Sequence, residues 1–485
     1  MTEPVGATSR TKTARVADTV RSMIHDGRLR EGDALPSTRA LAAELGVARG
    51  TVVTAFEQLD GEGYITVRHG AAARVAATLA DPPARGRRAS PRVQAPQVGA
   101  AQPVGPAGPA SAAVVESVID LVPGVPAVSA ISGRDWRAAW RHAASLPLGD
   151  GYPDSLGDVG LRAEIAKQLA FSRGFAPATE RVVISAGTSE AMSLVAEALG
   201  SGARVAVENP GYRSGRRALA SAGARLIPIG LDEGGLRLDE LRIAHNAEPL
   251  AAVAVTPSHQ YPMGAVMPIS RRRELLEWAA ANGVLLIEDD YDSEFRHHGA
   301  PLPALAAIDV SGSVVHIGSF SKVLNPQLRT GYLVLPGDTT AAATLSAARV
   351  ARGAAVATPV QHALAWFMSS GALRRHLARV RRDYSHKRSM LTDALADTAG
   401  LRVSALSGGL HAVVEWERGP DEASAVSRLR HRGVAVAALG DYVVDGSRLD
   451  TRGIVLGYGP VSATALARAL AIIAAELTGP APRTE

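Results

Sequence analysis

At 485 residues, 46% of them hydrophobic and with a net charge of +5, the chain is long enough for two or three packed domains. It has no cysteine, which excludes disulfides and thiolate metal sites. There is no signal-peptide-like apolar core, and no apolar run reaches the roughly 20 residues of a membrane span, so a cytoplasmic protein with no membrane partner is expected. The sequence pI near 9.6 is that of a chain suited to a polyanion. Arginine carries most of the positive charge, and only Lys12, Lys167, Lys322 and Lys387 are lysines.

Along the chain, Val16, Val20, Met23 and Ile24 recur at helical spacing before Gly27. Pro36 and Ser37 suit a helix start, Leu41 and Leu45 form its stripe, and Gly46 allows a tight turn. A second helix carries Val52, Phe56 and Leu59, and Gly63 to Gly70 suggests a strand and a wing turn. This is the plan of a winged helix-turn-helix, with the second helix in the major groove of a double-stranded DNA operator. Arg49, Gly50 and Thr51 stand at its start to reach bases or phosphates, and Arg39 and Arg68 are candidate phosphate contacts. An ordinary helical bundle with surface arginines has the same spacing. The motifs G-x-L-x-x-G-D-x-L-P-S-x-R-x-L-A, V-x-R-x-T-V and L-x-x-E-G-Y, between Gly27 and Tyr64, resemble the DNA-binding domain of GntR-family regulators. Ala48 replaces the capping serine frequent in that family, and Ala72 replaces a wing glycine.

Residues 1–76 are thus expected to form the DNA-binding domain and 118–480 an effector domain. The Pro-, Ala- and Arg-rich stretch over 77–117 reads as a semi-extended linker, with Arg85, Arg87, Arg88 and Arg92 solvated or touching DNA.

Beyond Val118, seven short apolar runs are predicted strands: 181–187, 204–210, 224–230, 251–257, 283–290, 313–320 and 331–336. Helical segments separate them, which predicts a buried, mostly parallel α/β sheet with its ligand at the carboxyl ends of the strands. Polar residues cluster at those ends. Gly187, Thr188 and Ser189 form a phosphate-cradling turn, followed in chain order by Tyr212, His259, Gln260, Asp289, Tyr291, Ser319, Ser321, Lys322 and Arg329. Singly, each has an ordinary reading: a helix cap, a packed tyrosine, solvated or metal-holding aspartates, a surface lysine. Together they suggest pyridoxal 5′-phosphate (PLP), whose aldehyde needs a lysine amine and whose ring nitrogen needs a carboxylate.

Order and spacing resemble fold-type I aminotransferases from about Ile119 to Leu477. The resemblance implies a large PLP domain around the seven strands and a smaller α/β domain built from both flanks. It makes Lys322 the Schiff-base lysine, Asp289 the partner of the pyridine nitrogen, Tyr291 that of the phenolic oxygen, and Tyr212 the ring-stacking residue. Thr188, Ser189, Ser319 and Arg329 bind phosphate, and Tyr152 reaches across a homodimer to it. His259 and Gln260 stand where an asparagine is frequent.

A GntR-type head on such a body resembles the MocR subgroup, for which EDDYDSEFR and TPSHQYPMG are signatures. Where aminotransferases fork an arginine onto the substrate carboxylate, this chain has Val455, and Arg452 is three positions off and on the other face of a strand. A regulator that senses PLP, acts with the transcription machinery and controls vitamin B6 synthesis genes is the leading expectation. Sensing of a γ-amino acid or taurine through an external aldimine is the second, and an active aminotransferase the third.

Overall fold

The computed structural model describes residues 16–17, 19–20, 23, 28–30, 32–61, 65–66, 72–75 and 118–478, the last with breaks at 148, 296–302, 338, 396–397, 399, 445–446, 448 and 450. The chain divides into two compact units.

In the small unit, Ser37 caps helix α1 (Thr38–Glu44) by accepting a hydrogen bond from the Ala40 N–H at 3.2 Å. The left-handed Gly46 turns the chain into α2 (Arg49–Gly61). A two-residue ribbon pairs β1 (Ile65–Thr66) with β2 (Arg74–Val75), and the Leu35 N–H donates to the Ala73 carbonyl beside it. Val16, Val20, Leu41, Val52, Phe56, Leu59, Ile65 and Val75 share one core. The helical stripes read from the sequence are the faces that pack. Ile24, Gly27, the wing tip with Arg68, and the linker lie outside the described residues.

The large unit is built on seven strands: β3 (Val182–Ser185), β4 (Arg204–Glu208), β5 (Arg225–Ile229), β6 (Ala252–Val255), β7 (Leu285–Asp290), β8 (Val314–Ser319) and β9 (Gly331–Val334). They lie in the order β3-β9-β8-β7-β6-β4-β5, with β9 alone antiparallel to its neighbours. Alternate residues of a strand enter different cores, which is why the runs read as continuously apolar. Leu285 and Ile287 of β7 join a cluster with α3 (Thr188–Leu199), whereas Leu286 joins one containing Leu275 and Leu276 of α5 (Ile269–Asn282). Between those helices, α4 (Arg213–Ser221) follows β4.

A second, antiparallel sheet has the order β10 (Leu401–Ser404), β11 (His411–Trp416), β13 (Arg452–Gly457), β12 (Ala437–Ala438). Ile119–Asp120 pairs in parallel with Val434–Ala435, so both flanks of the unit contribute to this smaller part. The fold is the expected one: a winged helix-turn-helix and a fold-type I aminotransferase-like body. No helix among the described residues is long and apolar enough to cross a membrane.

Candidate functional site

The carboxyl ends of β3, β4, β6, β7 and β8 converge on one site. Lys322 lies in the single turn α6 (Phe320–Val323) that follows β8, and its Nζ donates to the Gly124 carbonyl at 2.7 Å. Burial pushes the amine below its usual pKa, while the charges of Asp289 and Asp292 pull it back up. An amine so placed loses its proton more readily than an exposed lysine, which is what a nucleophile needs.

Asp289 closes the apolar run of β7, 3% exposed, and its Oδ1 is buried with no hydrogen-bond partner. Burial first, then the charges of Asp290, Glu208 and Asp292, push its carboxyl up to about 8, with Lys322 opposing. Glu208, at the end of β4, is likewise driven to about 7 by burial, against hydrogen bonds from Thr256 and Gln260. These two acids, with Tyr212 and Thr256, line one pocket. A buried carboxylate oxygen without a donor is costly, so a cationic N–H donor is the group the site lacks.

Gly187 caps α3 at φ 93°, and space is open where its Cβ would stand. Thr188 is buried and Ser189 half-buried at that helix N-terminus, whose N–H groups favour an anion. Ser189 also bonds the hydroxyl of Tyr212, which stands just ahead of α4; burial and then the charge of Asp289 raise that phenol. Ser319 is buried and accepts from the Ser321 N–H at 3.1 Å. Arg329, exposed and in a left-handed conformation, contributes its charge at Tyr212. Tyr152 is fully exposed and meets none of these residues.

The segment after β6 behaves differently from a simple cofactor contact. The Gln260 amide donates to Glu208, to the Pro210 carbonyl and to the Tyr261 carbonyl, and its oxygen accepts from the Met263 N–H, so it holds the loop together. His259 Nδ1 meets Asp292 Oδ2 at 2.8 Å and the Tyr291 hydroxyl at 3.1 Å. His411, from β11, packs against His259 and donates Nε2–H to the Pro262 carbonyl. Burial first and then His259 depress it to about 4, so it is neutral. His259, Asp292 and His411 have metal-ligand chemistry, but His259 Nδ1 and Asp292 Oδ2 are spent on one another.

Val455 is fully buried among Tyr261, Met263, Leu439 and Tyr442. Arg452 points away, exposed, and donates to the Gly419 carbonyl at 2.8 Å. In the small unit Arg39, Arg49 and Gly50 are exposed and Thr51 half-exposed, with Arg49 Nε donating to Thr38 Oγ1 at 3.4 Å.

Residues 12–75 match the family described as bacterial regulatory proteins, gntR family, and residues 119–449 match aminotransferase class I and II. The HTH-type pyridoxine biosynthesis transcriptional regulator PdxR of Corynebacterium glutamicum is 38% identical over 92% of this chain and 91% of its own. The chain belongs to the MocR subgroup of GntR-family regulators. A second member of these regulators, the HTH-type transcriptional regulator TauR of Rhodobacter capsulatus, is 34% identical over 96% of each chain. Among solved structures, the α-aminoadipate aminotransferase LysN of Thermus thermophilus superposes with a TM-score of 0.66 at 25% identity, over 75% of this chain and 92% of that one.

Five residues of this MocR-type site escaped the sequence reading: Gly124, Glu208, Tyr261, Asp292 and His411. Asp292 and Tyr261 lie within EDDYDSEFR and TPSHQYPMG. Gly124 and His411 come from distant segments, and only the fold brings them to Lys322 and His259.

Proposed function

We propose that this MocR-type protein binds an operator through its winged helix-turn-helix, holds PLP at Lys322, and reads PLP as the signal for vitamin B6 synthesis genes. The supporting observation is the partnerless Oδ1 of Asp289, buried within reach of the Lys322 charge. PLP supplies an aldehyde that condenses with a primary amine, a ring nitrogen that carries a proton, and a dianionic phosphate.

The residues fit each part. Lys322 offers the amine, Asp289 takes the ring N–H, and Tyr212 lies against the ring. Tyr291 meets the phenolic oxygen. Gly187, Thr188, Ser189, Ser319, Ser321 and Arg329 receive the phosphate, joined by Tyr152 of a second copy in a homodimer. His259 and Gln260 shape the wall rather than touch the phosphate. Asp289 gains most, because its buried oxygen acquires the donor it lacks. On the DNA side, Arg39 and Arg68 take phosphates and Arg49, Gly50 and Thr51 face the groove, with 77–117 linking head to body.

Val455 argues against turnover of ordinary α-amino acids. A buried valine among tyrosines offers nothing that matches a carboxylate, whereas an arginine would fork onto it. The PdxR resemblance supports the B6 genes as target.

Titration of the purified protein with PLP, followed by visible absorption, tests the cofactor part. A saturable band that vanishes in Lys322→Ala and persists when amines are added is expected. Conversion of the band by an amine would make that amine the signal, and absence of any band would overturn the proposal.

A further inference from the structure

Helix α3 carries an acid in its first turn, where the phosphate of the cofactor is to bind. Thr188, Ser189 and Glu190 open the helix, and Gly187 ahead of them supplies no side-chain cap. An acid at the third position ordinarily serves the helix N-terminus itself, and its charge repels any other anion there. We infer that Arg349 sets the affinity of this site for phosphate by acting through Glu190. Its guanidinium cancels the charge of a carboxylate that shapes the phosphate turn and would otherwise repel the dianion. The inference rests on PLP occupying the site as proposed above.

Glu190 Oε2 accepts from the Ala186 N–H at 3.3 Å, which ties the first turn of α3 to the residue that leaves β3. The Ser185 hydroxyl donates to the Gly187 carbonyl, also at 3.3 Å. Neither bond takes an N–H of Thr188 or Ser189, the groups an anion would meet. Glu190 Oε1 accepts from Arg349 Nη2 and, at 3.1 Å, from Arg352 Nη1, both on α7 (Thr340–Arg352). Arginine has donors only and stays charged, so a carboxylate bonded to two guanidinium groups is ionised. Arg349 Nη1 also donates to the Gly353 carbonyl just past α7, at 3.3 Å.

A charge count fixes the role of each group. Arg352 is shared, since its Nε also meets Glu197 Oε2 at 2.5 Å. Two arginines against two glutamates leave the cluster neutral, so it adds no net charge to the turn. Arg352 and Glu197 are 31% and 47% exposed, and solvent screens that pair. Arg349 is 1% exposed, which makes its pairing with Glu190 the strong one. Met192, two residues beyond Glu190, lines the pocket with Asp289 and Tyr212, so this end of α3 reaches the site.

Arg349 and Glu190 are thus positioning residues that act on the phosphate turn through charge and through the Ala186 bond. Removing the guanidinium leaves the cluster negative, and removing the carboxylate charge leaves it positive. A phosphate of about two negative charges feels these changes with opposite signs. The ring and aldehyde of the cofactor meet other residues and feel neither. A merely structural pair predicts instead that every variant weakens binding alike.

The test is titration of the full chain with PLP and with pyridoxal, which has the same ring and aldehyde but no phosphate, each followed by the Lys322-dependent visible band. Arg349→Met is expected to weaken PLP about tenfold and leave pyridoxal unchanged. Glu190→Gln, which keeps an oxygen for the Ala186 N–H, should tighten PLP. The double variant should return PLP affinity to within about threefold of the wild type. A PLP affinity unchanged or lowered in Glu190→Gln overturns the inference, and that variant decides the matter even if Arg349→Met fails to fold. A double variant as weak as Arg349→Met alone overturns it too. A wild-type protein with no PLP band removes the PLP reading itself, an outcome distinct from affinities that do not move as stated.

Discussion

Asp289 and Glu208 are two carboxyls held in one cavity with pKa values near 8 and near 7, far above the ordinary carboxylate range of about 4. The sign of the linkage follows. Between the unfolded and folded pKa values the native state binds more protons, so stability falls as pH rises from about 4 through about 8. The PLP-free protein is therefore expected to melt at progressively lower temperature across that window. Asp289→Asn should flatten the upper part of the slope, and PLP should raise the melting temperature most at the alkaline end. Thermal unfolding at stepped pH, with and without PLP, checks this; an unchanged slope in Asp289→Asn would contradict it. At this scale Lys322 and Asp289 stand out in the sequence, because each ends an apolar run and lysine is scarce elsewhere. It could not reveal that Gln260 is consumed by backbone carbonyls, nor that Asp292 is oriented by His259, since both facts depend on side-chain directions within a loop.

At the scale of elements, all seven predicted strands pair in the central sheet, because two covered faces leave no polar alternation to confuse the reading. The helix-turn-helix was equally legible, through its cap and turn residues. Ser37→Ala should remove the cap of α1 and cost the DNA-binding head about 1 kcal/mol, measured by urea unfolding of the full chain, while leaving the visible band intact. Arg39, exposed on α1, is expected to meet phosphate only. Arg39→Ala should weaken operator and random DNA alike and reduce the salt slope of binding by about 1, whereas a selective loss for the operator would make it a base contact. The smaller sheet was less legible. Its strands are short and mixed with glycines, and the pairing of Ile119–Asp120 with Val434–Ala435 joins chain segments no local pattern connects.

At the scale of the whole molecule, one unit has a DNA-binding fold and the other a cofactor-binding fold, and the MocR assignment rests on both matches together. Neither half alone distinguishes a regulator from an enzyme. Val455 tilts the body away from amino-acid turnover, and the buried acceptor at Asp289 tilts it towards holding PLP. A ligand that binds one unit can alter DNA binding by the other only to the extent that its affinity differs between the DNA-bound and free states, and couplings of about 1–3 kcal/mol are usual. The most direct measurement is therefore operator affinity at fixed salt, with and without PLP, for the wild type and Lys322→Ala. A PLP-dependent change of about fivefold or more, absent in Lys322→Ala and absent on random DNA, is predicted. Equal affinities with and without PLP, in a protein whose visible band shows the cofactor bound, would contradict the central claim.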